Sequence, residues 1–329
     1  MVKSGFQRGI KMSHMRINPI SKEAVIMSEN RLKRPTDFSS DKTENDKISF
    51  KKDCPFCIED QNSSRIKIYE DQISYGVKVV ENKYPIVLKK EEAESNVYGF
   101  HYVVIEGRDH SKSFYELSRE HIGEVIKAYI CVSKNIYRNE FIKYVQVFKN
   151  HGKNAGASLR HSHSQIIGMN VMPEKIKTEV ENSSKYYKDN KTCAFCDLLK
   201  DEIKSKERIV YEGKEFIAIC PYVSKHRYEI QIIKKKHSST IFTLNEFEIN
   251  DLSDVLKIVT NKLHSVLGKD ISYNIYYNFL KEEKVKYYHF YIEICPRIVN
   301  GAGFEISTGI MVNTILPEIA AKKLREANN

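Results

Sequence analysis

The chain repeats its own pattern, and this internal duplication constrains the fold more than any other feature. A Cys-x-x-Cys pair at residues 54–57 returns at residues 193–196. After each pair come a strand-like run that ends in His-Ser, a helical pattern, an alternating strand and a strand that carries a histidine. The period is too long for a solenoid repeat and suits two fused units. We therefore predict an α+β protein with two similar halves, residues 1–180 and 181–329, each with helices packed on an antiparallel sheet.

Apolar residues recur at helical spacing in one long segment of each half, and at strand spacing just after it. The predicted helices cover about 114–137 and 244–267, and the strands that follow cover 144–148 and 273–277. Residues 181–191 are polar and are predicted to be the linker between the halves. We expect the edges of the two histidine-bearing strands to pair across a pseudo-two-fold axis.

Residue types that bind metal recur at matched positions in the two halves. They are Cys54, Cys57, His110 and His161 in the first half and Cys193, Cys196, His237 and His289 in the second. Two thiolates and two imidazoles suit tetrahedral zinc, and four protein ligands leave no open coordination position. We predict one or two structural zinc ions per chain, against the alternative of buried thiols beside unrelated surface histidines. Cysteines kept for metal indicate a reducing compartment, so we expect the cytoplasm and no disulfides.

The segment from Gly156 to Gln165, Gly-Ala-Ser-Leu-Arg-His-Ser-His-Ser-Gln, indicates phosphorus chemistry. Alternate side chains of a strand share one face, so His161, His163 and Gln165 are predicted to point together. The small residues before them form a loop whose main-chain N–H groups can approach a phosphate closely.

An unprotonated imidazole can attack phosphorus directly, and we identify His163 as the candidate nucleophile. Gln165 cannot act as a general acid and is predicted to bind phosphate oxygens, with Asn150 and Ser158 beside it. A phosphate leaving group needs no proton, so the pattern favours transfer between two phosphate acceptors over hydrolysis. The alternative is a buried polar strand without a catalytic role.

The second half keeps the framework but lacks the nucleophile. Matching the two histidine-bearing strands places Tyr291 at the position of His163 and Glu293 at that of Gln165. We predict that this half contributes substrate contacts instead. Residues 300–309 form a glycine-rich candidate loop, in which Glu305 can accept hydrogen bonds from two hexose hydroxyls. The alternative is a plain connector before a final helix predicted over residues 316–327.

The formal net charge of +10 makes nucleic-acid binding a second class to consider. The lysines are spread along the chain, and the short clusters at 200–208 and 234–236 carry no interleaved aromatic residues. A non-enzymatic zinc-containing RNA-binding protein is therefore the distant alternative, and we expect no nucleic-acid partner. No apolar run approaches the roughly 18 residues that span a membrane, so we expect no membrane partner either.

With these motifs in place, the chain resembles the galactose-1-phosphate uridylyltransferase family of the histidine-triad superfamily from about Arg16 to Glu326. The resemblance implies two histidine-triad-like halves and a homodimer. The matching segments are Arg16-Ile-Asn-Pro19, Arg31-Leu-Lys-Arg34-Pro35, the first Cys-x-x-Cys, Glu81-Asn82-Lys-Tyr-Pro85, Asp109-His110-Ser111, Asn150 to Gln165, and Gly303-Phe-Glu305.

The resemblance also implies a role for each matched residue. His163 takes up a nucleoside monophosphate, and Asn82 lies near the ribose. The phosphate contacts fall to Asn150, Ser158 and Gln165, with Gly156 and Ala157 as further substrate-binding residues of the same loop. The diphosphate contacts fall to Arg31 and Arg34 and a sugar contact to Glu305, and the zinc ligands are Cys54, Cys57, His110 and His161.

Two reactions of this kind stay open. The main prediction is a ping-pong uridylyltransferase of galactose metabolism that exchanges UMP between UDP-glucose and galactose 1-phosphate. The chain is also similar to a plant branch, ADP-glucose phosphorylase, which passes AMP to inorganic phosphate; His-Ser-His-Ser-Gln, the second Cys-x-x-Cys and residues 33–38 carry that likeness. Ser162 and Ala24 stand where uridylyltransferases often have proline and tryptophan. The base, the hexose and the acceptor are therefore undecided by sequence.

Overall fold

The computed structural model describes residues 13–29, 48–58, 67–71, 75–268, 271–299 and 301–327. These residues form thirteen strands and six α-helices, with 3₁₀ turns at Phe114–Glu116 and Lys153–Ala155. The strands are β1 His14–Ile17, β2 Ala24–Met27, β3 Lys67–Glu70, β4 Lys78–Glu81, β5 Gly99–Ile105, β6 Tyr144–His151, β7 His163–Met169, β8 Ile209–Glu212, β9 Phe216–Ile219, β10 Ile230–Lys234, β11 Tyr273–Asn278, β12 Tyr291–Pro296 and β13 Met311–Asn313. The helices are α1 Arg119–Ile136, α2 Glu174–Asn190, α3 Ala194–Ser205, α4 Glu246–Leu267, α5 Gly303–Thr308 and α6 Pro317–Glu326.

Ten of these strands form one antiparallel sheet whose order is symmetric about its central pair, β6 and β11. The order is β3-β4-β5-β7-β6-β11-β12-β10-β9-β8, so each strand of the first half has its counterpart at the mirrored position. β1, β2 and β13 form a separate small sheet. The predicted α+β class with helices on an antiparallel sheet is confirmed.

The two halves join through strands other than those we predicted. β6 pairs with β11, with Tyr273 opposite His151 and Tyr277 opposite Val147. The histidine-bearing strand β7 cannot reach the second half, because β5 and β6 already occupy both of its edges. The expectation that the histidine-bearing strands pair is therefore wrong by one strand.

The two long helices lie side by side and cover one face of the sheet. Their apolar residues, with those of β6 and β11, belong to a single buried core that both halves share. Each helix begins at a side-chain cap: Ser118 accepts from the N–H of His121, and Asn245 accepts from the N–H of Glu248. These caps explain why both helices begin later than the periodicity predicts.

Two segments predicted as irregular are helical. Residues 181–191 lie mostly in α2, which buries Ile176, Glu179 and Ser183 on one side. Two of these three residues are polar, which hid the helical pattern in the sequence. The glycine-rich segment 300–309 contains α5, which ends at Gly309 in the left-handed conformation with φ 71°. The final helix, with Pro317 at its start, is confirmed as α6.

Among the helices that the structure describes, none is long and apolar enough to cross a membrane.

Candidate active site

The candidate nucleophile opens strand β7 in a defined tautomer. The Nδ1 atom of His163 lies 2.8 Å from the main-chain oxygen of His161. A carbonyl only accepts, so Nδ1 carries the proton and Nε2 keeps its lone pair. The side chain is 7% exposed, and burial lowers its pKa, although the bond to His161 opposes this shift. The neutral ring with a free Nε2 is the form that attacks phosphorus.

An apolar side chain packs against the ring of the nucleophile. The ring of Phe56, which stands between the two cysteines of the first pair, lies 5.2 Å from the ring of His163. Phe56 packs against Val80, Val103 and Ile105 of neighbouring strands. The metal-ligand loop and the nucleophile are thus in direct contact.

Gln165 follows His163 on the same face of β7. Its Oε1 atom lies 2.8 Å from Nε2 of His101, a residue of β5. His101 in turn lies near Asn82, whose Nδ2 is 3.1 Å from the same ring nitrogen and 3.4 Å from the other. The structure therefore brings the predicted nucleotide contacts Asn82 and Gln165 together around a histidine that the sequence analysis had not selected.

Asn150 lies on the same face, at the end of β6. The register pairs Phe148 with Gln165, so Asn150 lies at the end of the ladder where His163 begins β7. Two glycines shape the loop that follows, since Gly152 has φ 78° and Gly156 has φ 82°. A Cβ on Gly156 would lie 3.9 Å from Nδ2 of Asn150, so this amide group faces the loop.

The N–H groups of residues 154–157 in this loop already have acceptors within the protein. The N–H groups of residues 155 and 157 both donate to the oxygen of Gly152, that of Gly156 donates to Lys153, and that of Asn154 donates to Oγ of Ser272. A 3₁₀ turn that closes on Gly152 uses these donors internally. The main-chain phosphate cradle predicted for residues 154–158 stays a prediction, in which the N–H groups of residues 154–157 would have to leave these acceptors. The side-chain amides of Gln165 and Asn150 are the other candidate donors.

Behind the nucleophile lies a buried ion pair. Nζ of Lys149 donates to Oε2 of Glu106 at 2.6 Å, to Oγ of Ser162 at 3.0 Å and to the main-chain oxygen of His163 at 3.0 Å. Lys149 is 1% exposed and Glu106 is fully buried. Burial would raise the pKa of Glu106, yet the Lys149 ammonium holds it below its usual range. Burial also lowers the pKa of Lys149, but three acceptors around Nζ keep the charged form.

The eight predicted metal ligands form two compact groups. Within each group the ligand atoms all lie within 4.8 Å of one another. Sγ of Cys57 lies 3.4 Å from Nδ1 of both His110 and His161, and Sγ of Cys196 lies 3.3 Å from His237 and 3.6 Å from His289. Tetrahedral zinc places a thiolate sulfur and an imidazole nitrogen about 3.6 Å apart, so both groups fit such an ion.

The outer ring nitrogens fix these histidines for metal binding. Nε2 of His161 donates to the oxygen of Gly107 at 2.8 Å, and Nε2 of His289 donates to the oxygen of Lys234 at 3.0 Å. Nε2 of His237 likewise donates to Val285 at 2.9 Å. Each Nδ1 therefore keeps a lone pair that points at the cysteines, as metal ligation requires. Each of the two groups can hold one metal ion.

Five further residues are predicted to contact substrate: Ala157, Ser158, Glu305, Arg31 and Arg34. Ser158 is exposed in the loop before β7, and Ala157 beside it is half-buried. The carboxylate of Glu305 accepts from the N–H of Ala302 at 3.1 Å, so it caps its own helix. Arg31 and Arg34 lie outside the described residues.

Two family models match this chain, and two relatives match almost its whole length. The model of the galactose-1-phosphate uridyl transferase N-terminal domain matches residues 5–173, and a domain of unknown function matches residues 97–327. ADP-glucose phosphorylase of Arabidopsis thaliana is 32% identical over 331 residues, covering 95% of this chain and 93% of that protein. Galactose-1-phosphate uridylyltransferase of Thermotoga maritima is 28% identical over 338 residues, covering 96% and 98%.

Solved structures show the same fold. An ADP-glucose phosphorylase from Arabidopsis thaliana with bound ADP-glucose superposes with a TM-score of 0.84 at 32% identity, covering 97% of this chain and all of that one. A uridylyltransferase superposes at 0.73 with 23% identity, covering 95% and 97%, which supports the fold alone. The chain therefore belongs to the galactose-1-phosphate uridylyltransferase family and is a nucleotidyltransferase.

Proposed function

We propose that this protein transfers a nucleoside monophosphate from a nucleoside diphosphate hexose to a second phosphate acceptor through a covalent intermediate on His163. Nε2 of His163 attacks the α-phosphorus, the bond to the hexose-phosphate oxygen breaks, and hexose 1-phosphate leaves with that electron pair. The acceptor phosphate then attacks the same phosphorus and releases His163. The observation that carries this proposal is the tautomer of His163, whose free Nε2 is set by the bond to His161.

The surrounding groups suit a transfer that needs no proton. A departing phosphate leaves as an anion, and Gln165 and Asn150 carry amides that can donate to phosphoryl oxygens as charge builds on them. No general acid is required at the position of Gln165. We further propose that the protein works in the cytoplasm as a homodimer without a nucleic-acid partner.

Two donors fit this mechanism, and each has its own support. UDP-glucose with galactose 1-phosphate as acceptor is the reaction that the family resemblance implies, and the Thermotoga maritima relative is named galactose-1-phosphate uridylyltransferase. ADP-glucose with inorganic phosphate as acceptor is supported by the Arabidopsis thaliana relative, at 32% against 28% identity, and by its structure with bound ADP-glucose.

The test is intact-protein mass spectrometry after incubation with each donor separately. We expect a gain of one UMP or one AMP, and we expect the matching acceptor, galactose 1-phosphate or inorganic phosphate, to remove it. The base that adds identifies the donor, and the acceptor that discharges it identifies the reaction. No adduct with either donor would contradict the proposed function.

We also propose that zinc fills both Cys/His groups and that only the first supports the chemistry. His161 would bind the first metal, and its carbonyl fixes the His163 ring. In the second group, Phe195 between the two cysteines stacks on Tyr291, which stands where the first half has its nucleophile. We expect two zinc ions in the purified protein, one in Cys57→Ser and one in Cys196→Ser, measured by elemental analysis.

Adduct formation separates the two metal variants. Cys196→Ser is expected to lose thermal stability while it still forms the adduct, and Cys57→Ser is expected to lose both, because structural zinc contributes folding free energy at its own site. An unchanged adduct rate in Cys57→Ser would contradict a supporting role for the first ion.

A further inference from the structure

The two amide side chains of the candidate phosphate site are each held through their oxygen atoms. Oε1 of Gln165 lies 2.8 Å from Nε2 of His101, and Oδ1 of Asn150 lies 2.7 Å from Nδ2 of Asn274. Turning an amide side chain by 180° exchanges its oxygen and its nitrogen at little steric cost. Which of the two faces a neighbour therefore follows from whether that neighbour donates or accepts a hydrogen bond. Each of the two contacts can be traced to a group that can only donate or only accept a hydrogen bond.

The first chain of contacts begins at a main-chain donor. The N–H of Ile86 lies 3.0 Å from Nδ1 of His101. An N–H only donates, so Nδ1 accepts and a neutral ring must carry its proton on Nε2. His101 is 5% exposed, and burial lowers its pKa although the bond to Gln165 opposes this shift, which favours the neutral ring. Nε2 therefore donates, and the atom of Gln165 that receives it is the oxygen. The Nδ2 atom of Asn82, 3.1 Å from the same Nε2, is itself a donor because Oδ1 of Asn82 accepts from the N–H of Tyr84, so the assignment rests on the Ile86 contact and Asn82 makes no hydrogen bond to the Nε2 proton.

The second chain of contacts is anchored at both ends. Asn274 lies 2.9 Å from the main-chain oxygen of Ala155, which only accepts, so the atom that contacts it is Nδ2. Its Oδ1 atom accepts from Nε of Arg297 at 2.5 Å, and a guanidinium only donates. Asn274 therefore has one orientation, and Nδ2 presents a donor to Asn150. The atom of Asn150 that receives it must be the oxygen.

These contacts form a diagonal row on one face of the sheet. Val103 pairs with Gln165 and Phe148 pairs with Gln165 from the other side, while Asn274 pairs with Asn150. His101 precedes Val103 by two residues and Asn150 follows Phe148 by two, so all four polar side chains share the face that carries His163. An amide whose oxygen is held by an outer neighbour in this row presents its NH₂ group away from that neighbour, and for Asn150 that side includes the loop at Gly156.

We propose that His101 and Asn274 are positioning residues that lock Gln165 and Asn150 with their NH₂ groups toward the phosphoryl group on His163. This inference rests on the proposed function. It gives the site two oriented donors that need no rearrangement when charge develops on the phosphoryl oxygens. It also gives the second half a defined part in the chemistry, because Asn274 and Arg297 both belong to it.

His101 is tested by a double-mutant cycle with Gln165. The single-turnover rate of adduct formation is measured by quenched mass spectrometry in wild type, His101→Phe, Gln165→Ala and the double variant. We expect His101→Phe to slow adduct formation about tenfold, since the loss of one orienting hydrogen bond to a transition-state donor has roughly this effect. In the Gln165→Ala background the same change is expected to have almost no effect, because the group that His101 orients is gone.

A conservative variant separates orientation from packing. His101→Gln keeps a donor within reach of Gln165 and is expected to recover most of the rate, which a purely structural role of the ring would not predict. Equal slowing by His101→Phe with and without Gln165 would overturn the proposal, and so would an unchanged rate.

Asn274 is tested by an isosteric change. Asn274→Asp keeps the acceptor for Arg297 but loses the donor to Asn150 and Ala155, so we expect adduct formation to slow about tenfold or more. Asn182→Asp is the matched control: its Nδ2 also donates to a main-chain oxygen, that of Ile20 at 2.8 Å, but on α2, away from the row. Equal slowing in both variants would overturn the assignment for Asn274.

Zinc content and thermal unfolding of every variant show whether it is folded. A wild-type protein that forms no adduct would remove the proposed function and this inference together. A wild-type protein that forms the adduct, with additive effects in the cycle, would remove the inference alone.

Discussion

Replacing His163 by asparagine is expected to abolish nucleotidyl transfer, with a loss on the order of 10⁴-fold or more, as for other enzymes that lose a covalent nucleophile. The amide of asparagine can place its Nδ2 where Nδ1 of the imidazole donates to the oxygen of His161. The local strand is thereby kept, and only the attacking Nε2 is removed. Steady-state transfer and adduct formation should fall together, and they are measured by product release and intact mass.

The matched control lies at the equivalent position of the second half. Tyr291 occupies that position on β12, and its hydroxyl donates to Oε2 of Glu179 at 2.8 Å. Tyr291→Phe is expected to form the adduct at the wild-type rate. If His163→Asn retained transfer while it stayed folded and loaded with metal, the assignment of the nucleophile would be wrong.

Replacing Lys149 by methionine is expected to lower the free energy of unfolding by about 3–5 kcal/mol, because it leaves the carboxylate of Glu106 buried without its charge partner. The Ser162 hydroxyl and the main-chain oxygen of His163 lose a donor as well. Urea unfolding of the metal-loaded protein measures this change, with the linear extrapolation checked for two-state behaviour.

The pH dependence of that difference follows from Glu106. Its pKa is lowered in the folded protein, so the stabilisation it gains from Lys149 is fully present above the unfolded pKa of the carboxyl group and is lost as the pH falls through the folded pKa. The difference between wild type and Lys149→Met should therefore shrink in acid.

A surface pair provides the comparison for Lys149. Nζ of Lys235 lies 2.8 Å from Oε1 of Glu212, but both side chains are partly exposed, at 27% and 47%. Lys235→Met should change the free energy of unfolding by no more than about 1 kcal/mol. A similar small effect for Lys149→Met would mean that the Glu106 cluster is hydrated rather than buried.

The duplication made much of the fold predictable. Repeated ligands at matched positions, such as His161 and His289, fix which strands are equivalent, and element order then follows in both halves. The seam between the halves was not predictable in the same way. The pairing of Tyr273 with His151 depends on which strand edges stay free after each half is formed, and alternation within one strand carries no information about its neighbours.

The candidate site was likewise predictable from the sequence only in part. His163 and Gln165 stand out because they are neighbours in one short segment. His101 and Asn274 lie far from them in sequence and become partners only through the order β5-β7-β6-β11. Lys149 did carry a signal, since a lysine within the apolar alternation Tyr-Val-Gln-Val-Phe-Lys is unusual for a half-buried strand and calls for a buried partner. That partner, Glu106, could not be named without the structure.

The covalent intermediate on His163 is the central claim, and locating the adduct tests it most directly. The protein is quenched during turnover with the donor that labels it, digested under alkaline conditions that preserve a phosphorus–nitrogen bond, and sequenced by mass spectrometry. We predict one nucleoside monophosphate per chain on His163, formed at least as fast as overall transfer. A nucleotide on another residue, or transfer that proceeds while His163 stays unmodified, would contradict the account.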